Sequence, residues 1–362
     1  MISTFDNIDD IENTYIVVKR EKGKIKYVKN IERIIIKSFS EISETVFIES
    51  LKNYKYTLLH GMNMETLELI EKSRTYESFV WFSWGMDIYN VHNKLRENLM
   101  LSKTRRLYNS IYNQYYIKRL LKKIIATFDN NQFYKRQQRV LKKIKYIAPV
   151  IREDYEVVKK YYKNAEHLRY LDFTYGDIRS FSYDDFEIKG ENILLGNSGT
   201  FSNNHIEIVD ILFLNKYKGE IFVPLSYGVE KYIDSIENYG HNKFGEKFNP
   251  LRTFLSIDEY LKMLSSVGFV IMNHKRQQGM GNIYAMLYGG CKLFLREENP
   301  VYNFLIRNNF NIFTIDELES NTAFSPITEY QKRENREIIK TLLLPDIVLD
   351  RANLLVKTLI EN

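Results

Sequence analysis

Ile193-Leu194-Leu195-Gly196-Asn197-Ser198-Gly199-Thr200-Phe201-Ser202-Asn203-Asn204-His205-Ile206-Glu207-Ile208-Val209 reads as a buried strand, a tight polar turn and the first turns of a helix. Gly196 and Gly199 permit φ > 0 and bring backbone N–H groups close to a ligand. Ser202 or Asn203 stands where it caps a helix whose N-terminus carries roughly half a positive charge. Such a turn suits phosphate, and a nucleotide-sugar diphosphate in particular. An ordinary strand-to-helix loop also favours Gly, Asn and Ser, so local composition leaves both readings open.

The segments downstream repeat the pattern. Glu220 to Gly228 is a strand ending in a turn, and Leu251 to Leu264 has apolar residues at helical spacing. Val267 to Met272 is a short buried strand, followed by the polar loop His274-Lys275-Arg276-Gln277-Gln278-Gly279-Met280-Gly281-Asn282 and a helix from Ile283 to Tyr288. Gly289-Gly290 ends that helix, Cys291 to Leu295 is the next strand, and Arg296-Glu297-Glu298-Asn299-Pro300 is a third polar turn. Strand, polar loop and helix in succession describe an open parallel α/β sheet that binds its ligand beyond the carboxyl ends of the strands.

These blocks resemble the bacterial glycosyltransferase family typified by TDP-N-acetylfucosamine:lipid II N-acetylfucosaminyltransferase. The resemblance rests on Gly196-Asn197-Ser198-Gly199 with Ser202-Asn203 and His205-Ile206, on Val223-Pro224 with Tyr227 and Tyr232-Ile233, on Arg276-Gln277-Gln278-Gly279 with Gly281, and on Glu298-Asn299-Pro300. It continues more thinly through His60-Gly61 with Asn63 and through Trp81 with Trp84-Gly85, Asp87 and Tyr89. Thr200 and Phe82 depart from the family pattern, which leads one to expect an acidic residue and a histidine there, and the opening Met1 to Asp6 supplies neither the apolar strand nor the polar loop of the pattern. The resemblance implies a GT-B fold: two Rossmann-like α/β domains with parallel sheets facing across a cleft, the C-terminal one holding the nucleotide-sugar and the N-terminal one the acceptor.

The chemistry implied by that resemblance is displacement at a sugar's anomeric carbon by an acceptor hydroxyl, with a nucleoside diphosphate leaving. The reaction needs a base for the hydroxyl proton and donors for the charge growing on the diphosphate. The expected donor-binding residues are Gly196, Asn197, Ser198, Gly199, Asn203 and His205 in the first loop, and Pro224 and Tyr227 in the next. They continue with Arg276, Gln277, Gln278, Gly279, Gly281 and Asn282, then Glu298 and Asn299. Arg276 has little structural reason to stand in a Gly/Gln loop at a strand's edge. Asp87 and His60 are the candidate bases, and Asn63, Trp84 and Gly85 the acceptor-side residues. No metal or cofactor is expected: the pair Asp184-Asp185 lacks the strand context of an acidic metal motif, and the six histidines show no ligand spacing.

Composition agrees. A chain of 362 residues with 44% apolar content suits two globular domains, and the single cysteine, Cys291, excludes an intrachain disulfide. No apolar run approaches the roughly 20 residues of a membrane span, and no signal peptide opens the chain, so a cytoplasmic protein is expected. From Lys94 to Lys145, fifteen Lys and Arg face only Glu97 and Asp129, so this stretch is strongly basic and the remainder of the chain is net negative. Aromatic residues alternate with those cations. That pattern suits the anionic inner face of the plasma membrane, where a polyprenyl-diphosphate-linked acceptor would be met, and equally a solvated helical face. No nucleic-acid motif accompanies it, so nucleic acid is not an expected partner.

The expected boundaries are an acceptor domain over 1–185 with the basic region 94–145 inside it, a donor domain over 186–345, and a C-terminal helix over 346–362 that packs back on the first domain. Strands are expected near Tyr15–Val18, Ile34–Ile36, Tyr56–Leu59, Phe79–Phe82 and Tyr146–Ala148 in the first. The favoured function is transfer of a 4-acetamido-4,6-dideoxygalactose-like sugar from a TDP-sugar to a polyprenyl-diphosphate-linked oligosaccharide of a bacterial surface polysaccharide. A nucleotide-sugar epimerase and a non-catalytic membrane-associated nucleotide-sugar binder are the alternatives.

Overall fold

The structure, a computed structural model, describes residues 2–19, 34–73, 78–113, 132–180, 188, 190–320 and 322–361. The chain forms two compact units, and neither is contiguous. The first comprises Met1–His92, Phe128–Asp177 and Pro345–Asn362; the second comprises Asn93–Thr127 and Ile178–Leu344.

In the first unit β1 (Tyr15–Lys19) pairs in parallel with β2 (Ile34–Ser38). A four-stranded parallel sheet comes next, β3 (Thr57–His60), β4 (Phe79–Ser83), β5 (Tyr146–Pro149) and β6 (Arg169–Tyr170), in that spatial order. Every residue of β4 and β5 is buried. A parallel strand is covered on both faces, so it reads as an unbroken apolar run rather than an alternation. The helix Pro345–Glu361 closes this core: Ala352, Leu355 and Leu359 pack with Phe5, Val80, Phe82, Tyr146 and Phe173. Arg351 pairs with Asp172 at 3.5 Å, and Lys55 donates to the Ile360 carbonyl at 2.6 Å.

The second unit is built on six parallel strands, β7 (Asn192–Leu195), β8 (Ile221–Pro224), β9 (Phe248–Leu251), β10 (Val267–Met272), β11 (Lys292–Leu295) and β12 (Phe313–Thr314). Their spatial order is β12-β11-β10-β7-β8-β9. The chain runs outward from β7 to β9, then crosses to the other flank of β7 and runs outward again. Strand order therefore reverses between β7 and β10, the switch point at whose carboxyl ends an open α/β sheet has its crevice.

Three elements differ from the sequence reading. Leu251 ends the edge strand β9 rather than opening a helix; Pro250 is tolerated there because an edge strand has one unpaired side. The helix begins at Ile257 behind a Ser256/Glu259 capping box. The basic region divides between the units instead of lying in the first. Helix Ser102–Asn113 packs on helix His205–Leu214: Leu107 and Ile111 reach the second unit's core, Thr104 donates through its main-chain N–H and hydroxyl to Glu207 at 2.9 and 2.7 Å, and Lys103 pairs with Asp210. Arg136 and Arg139 belong to the first unit and both bind Glu71. The remainder of the basic region, 114–131, and the Asp184-Asp185 pair lie outside the described residues. Among the described residues no helix is long and apolar enough to cross a membrane, and no group of three or more His, Cys, Asp or Glu is placed to hold a metal.

Candidate active site

In the second unit the loop after β7 folds around one amide. Asn203 is fully buried; its Oδ1 accepts from the Asn197 N–H at 3.1 Å and from Gln278 Nε2 at 3.2 Å, while its Nδ2 donates to the Ser198 carbonyl at 2.9 Å and to the Ser198 and Thr200 hydroxyls at 3.0 Å. Gly196 sits at φ +69°, and a Cβ there would stand 2.6 Å from His205 Nε2 and 2.9 Å from Asn203 Oδ1, so the turn admits only glycine. The expectation that Asn197, Ser198 and Gly199 all present free N–H groups is corrected. Asn197 N–H is held by Asn203, and Gly199 N–H donates to the Tyr227 carbonyl at 2.8 Å. Of these three, Ser198 N–H is the one left without a protein acceptor among the described residues.

The helix starts at His205 with neither Ser202 nor Asn203 as its cap. Asn204 occupies the cap in the left-handed conformation, φ 52°, and its side chain ties three segments together: Nδ2 donates to Leu99, Ser202 and Asn273 carbonyls at 3.0–3.1 Å. Asn273 Nδ2 returns a bond to the Asn204 carbonyl at 2.9 Å, which joins the loop after β7 to the loop after β10. His205 is fully buried, and desolvation pushes its pKa down to about 3, so the ring is neutral near pH 7 and brings no positive charge to a diphosphate. Tyr232 Oη accepts the His205 main-chain N–H at 3.3 Å and lies 3.0 Å from Nδ1, leaving Nε2 beneath Gly196 with no partner.

Several loop residues expected to meet ligand turn inward. Gln278 is buried; it accepts from Ser202 Oγ at 3.0 Å and donates to Asn197 Oδ1 at 2.9 Å, while Gln277 is buried beside it. Asn299 caps helix Pro300–Arg307 by accepting from Val301 N–H at 2.9 Å, and its Nδ2 reaches His274 Nδ1 at 2.6 Å and the His274 carbonyl at 2.9 Å. Gln278 and Asn299 thus use their amides to bond neighbouring loop groups. His274, which the sequence reading passed over as a site residue, has the same character as His205: it is buried, pushed down to about 3 by desolvation and by Arg276, and its Nε2 has no partner. Arg276 is half-buried, with Nη1 donating to the Gln277 carbonyl at 3.1 Å. Glu298 is exposed and pairs with Arg296 and Lys275; despite partial desolvation, its own main-chain N–H and these cations hold it below the usual carboxylate range. Gly279 caps helix Met280–Gly289 at φ +70°, against Asn197, and Gly281 is exposed in the first turn with open space where a Cβ would project. Pro224 ends β8, Tyr227 is exposed just beyond it, and half-buried Asn282 accepts from Tyr260 Oη at 3.3 Å.

The first unit's corresponding edge is aromatic. Asp87 is buried and accepts three N–H bonds, from Trp81 Nε1 at 2.7 Å and the main chains of Met62 and Trp84 at 2.8 Å. Desolvation nevertheless outweighs these donors and raises its pKa to about 7. Its place is that of an anchor binding the loop after β3 to the start of helix Gly85–Tyr89, not of an accessible base, and Gly85 is likewise buried. Asn63 caps helix Met64–Lys72 through Thr66 N–H at 2.8 Å. His60 ends β3 with its ring exposed at the rim between Phe82, at 4.9 Å, and Tyr175, at 5.9 Å; desolvation by this wall pushes its pKa down to about 4. Trp84 is exposed and leans on Tyr175 at 4.3 Å. Tyr175, unremarked in the sequence, is the residue that joins His60 to Trp84, and its buried hydroxyl has no partner among the described residues.

Residues 179–338 match the profile of the family described as 4-alpha-L-fucosyltransferase, glycosyl transferase group 56. The fold is similar to that of a glycosyltransferase from Rickettsia africae ESF-5, with a TM-score of 0.57 and 11% identity over 96% of this chain and 91% of that one. It is also similar to sucrose-phosphate synthase from Thermosynechococcus elongatus, at 0.61 and 8% over 96% and 88%. A third likeness, at 0.53 and 9% over 89% and 76%, is to a structure described as trehalose-6-phosphate from E. coli bound with UDP-2-fluoro glucose. At such identities the likeness is one of fold, and that fold is GT-B, α/β with parallel sheets.

Proposed function

We propose that this chain, a glycosyltransferase whose residues 179–338 match group 56, transfers a 4-acetamido-4,6-dideoxygalactose-like sugar from a TDP-sugar to a polyprenyl-diphosphate-linked oligosaccharide. The observation that carries the donor half is the convergence of the loops after β7 and β10 at the point where strand order reverses. There the diphosphate meets the Ser198 N–H and the Arg276 guanidinium, with Lys275 close behind. A cation and an oriented N–H stabilise charge that grows on the leaving diphosphate oxygen as its bond to the anomeric carbon breaks. The acceptor oxygen forms the new bond and gives up its proton; of the two candidate bases His60 is neutral and rim-exposed, whereas Asp87 is sealed. Trp84 and Tyr175 offer the acceptor a ring surface. On this reading the protein works in the cytoplasm on the inner face of the plasma membrane, where exposed cations such as Arg106 lie against anionic lipid, although Lys103, Arg136 and Arg139 already hold internal partners.

Calorimetric titration with TDP, UDP and GDP, repeated on Arg276→Ala, tests the donor site. TDP binding weakened at least about tenfold by the substitution supports it; no binding of any of the three sinks the nucleotide-sugar reading. Consumption of the TDP-sugar without an acceptor would instead identify an epimerase.

A further inference from the structure

The carbonyls in the last turn of helix Met280–Gly289 are all bonded within the protein. Met286 accepts from Cys291 N–H at 2.9 Å, Leu287 from Gly290 N–H at 3.2 Å, Tyr288 from Arg336 Nε at 3.0 Å and Gly289 from Ile188 N–H at 3.2 Å. Beside this end Gly289, Glu329, Lys332, Arg333 and Arg336 line a cavity of about 230 Å³. Its cations all come from helix Glu329–Leu343.

A spacing of four puts Lys332 and Arg336 on one helix face, and their stems are fixed there. A Cβ on Gly290 would stand 3.0 Å from Lys332 Cδ, and Arg336 adds to its Nε bond a ring contact with Tyr288 at 5.4 Å. The charged ends are less well matched. Lys332 pairs with Glu329 at 2.7 Å, but among the described residues neither Arg333 nor Arg336 forms an ion pair. Glu334, next to Arg333, binds Asn311 at 3.1 Å, and Glu337 pairs with Lys340 at 2.7 Å. The Arg333 guanidinium has the Tyr330 ring at 5.9 Å. Cations suit the negative end of a helix, yet here that end engages one Nε and its carbonyls are already bonded.

We propose that this cavity binds a small phosphate-bearing solute through the guanidinium groups of Arg333 and Arg336 and the Lys332 ammonium. Three cations against the one carboxylate of Glu329 leave the lining positive, and like charges crowded on neighbouring helix positions are relieved by an anion. A planar guanidinium offers paired N–H groups that match phosphate oxygens. A water takes about 30 Å³, so the cavity has room for several waters or for a phosphoryl group in their place. It is distinct from the diphosphate loop. Gly279 opens the other end of helix Met280–Gly289, and ten residues at about 1.5 Å each set the two ends about 15 Å apart. An anion in the cavity clamps helix Glu329–Leu343 to the helix whose first turn carries Gly281, and the site stands independently of the donor reading.

The test is calorimetric titration of the full chain with pyrophosphate, for Arg276→Ala, in which the crevice is already weakened, and for Arg276→Ala combined with Arg333→Glu. Arg276→Ala should still bind pyrophosphate, and adding Arg333→Glu should weaken that binding about tenfold or more. Arg333 is exposed, so the substitution opens no core cavity, and an unchanged melting midpoint verifies this; Arg333→Ala serves in its place if the midpoint falls. No pyrophosphate bound by Arg276→Ala, or equal affinity with and without Arg333→Glu, overturns the site. Co-sedimentation with phosphatidylglycerol vesicles separates the sources of phosphate: vesicle binding that needs Arg333, without pyrophosphate binding, overturns the small solute in favour of a lipid headgroup. Failure of the unsubstituted protein to bind TDP, UDP or GDP overturns the donor reading and leaves this one intact.

Discussion

The carboxyl edges of the two sheets solve different problems with different residues. In the second unit the edge is polar, yet its amides bond neighbouring loop groups: Asn203, Gln278 and Asn299 are locked inward beside the Ser198 N–H and half-buried Arg276. In the first unit the edge is a wall of rings, with one carboxylate buried beneath it as an anchor. A polar network suits an anion, since pre-oriented dipoles need no reorganisation when charge develops. Aromatic faces suit an uncharged, ring-shaped guest. The difference teaches that residue polarity at a binding edge is a poor guide to what touches the ligand, because interior amides can be the scaffold that aims a few outward groups.

The largest expected break in this contrast is Asn203→Ala. It leaves several buried donors and acceptors unpaired, and a loss of about 3 kcal/mol or more is expected, read as a fall in denaturation midpoint, with Ser202→Ala costing far less. The contrast sharpens with pH. Asp87 has its folded pKa raised from 3.8 to about 7, so it contributes stability below pH 3.8 that is lost as pH rises through 7. His205 and His274 have theirs lowered from 6.5 to about 3, so they contribute stability above pH 6.5 that is lost as pH falls through 3. In the first unit His60, lowered from 6.5 to about 4, works against Asp87 over this range, so moving from about pH 7.5 to about pH 5 should leave the first unit nearly level and loosen the second, by about 2 kcal/mol per buried histidine. Hydrogen exchange monitored unit by unit reads this, and parallel changes in both units would contradict it. Arg276→Ala should weaken TDP at least about tenfold, or about 1.4 kcal/mol, with melting unchanged. Smallest is Trp84→Ala, expected to raise the acceptor KM several-fold while TDP affinity holds; equal loss on both substrates would show that Trp84 acts through folding.

Much of the frame was legible because parallel strands leave unbroken apolar runs, as at β3, β4, β5, β7, β10 and β11. β9 escaped notice because Pro250 and the polar Asn249 interrupt it, and β6 and β12 because two residues carry no periodicity. The positive φ of Gly196 and Gly279 was readable because a glycine in a tight strand-to-helix turn has few other uses. The inward bonds of Asn63, Asn203, Gln278, Asn299 and Asp87 were not legible, because an amide or carboxylate in a loop bonds main chain as readily as ligand, and only the fold decides its direction. Tyr175 went unnoticed because a lone aromatic in a loop gains its meaning from a partner distant in sequence.

Helix Pro345–Glu361 also sets a timetable. Ala352, Leu355 and Leu359 line the same core as Phe5 and Val80, so the first unit lacks part of its interior until the helix that follows the second unit has left the ribosome. The second unit needs nothing beyond Leu344 and can consolidate first. Order of synthesis and order of completion are thus inverted, and during translation the half-finished first sheet exposes apolar surface for a holding chaperone to cover.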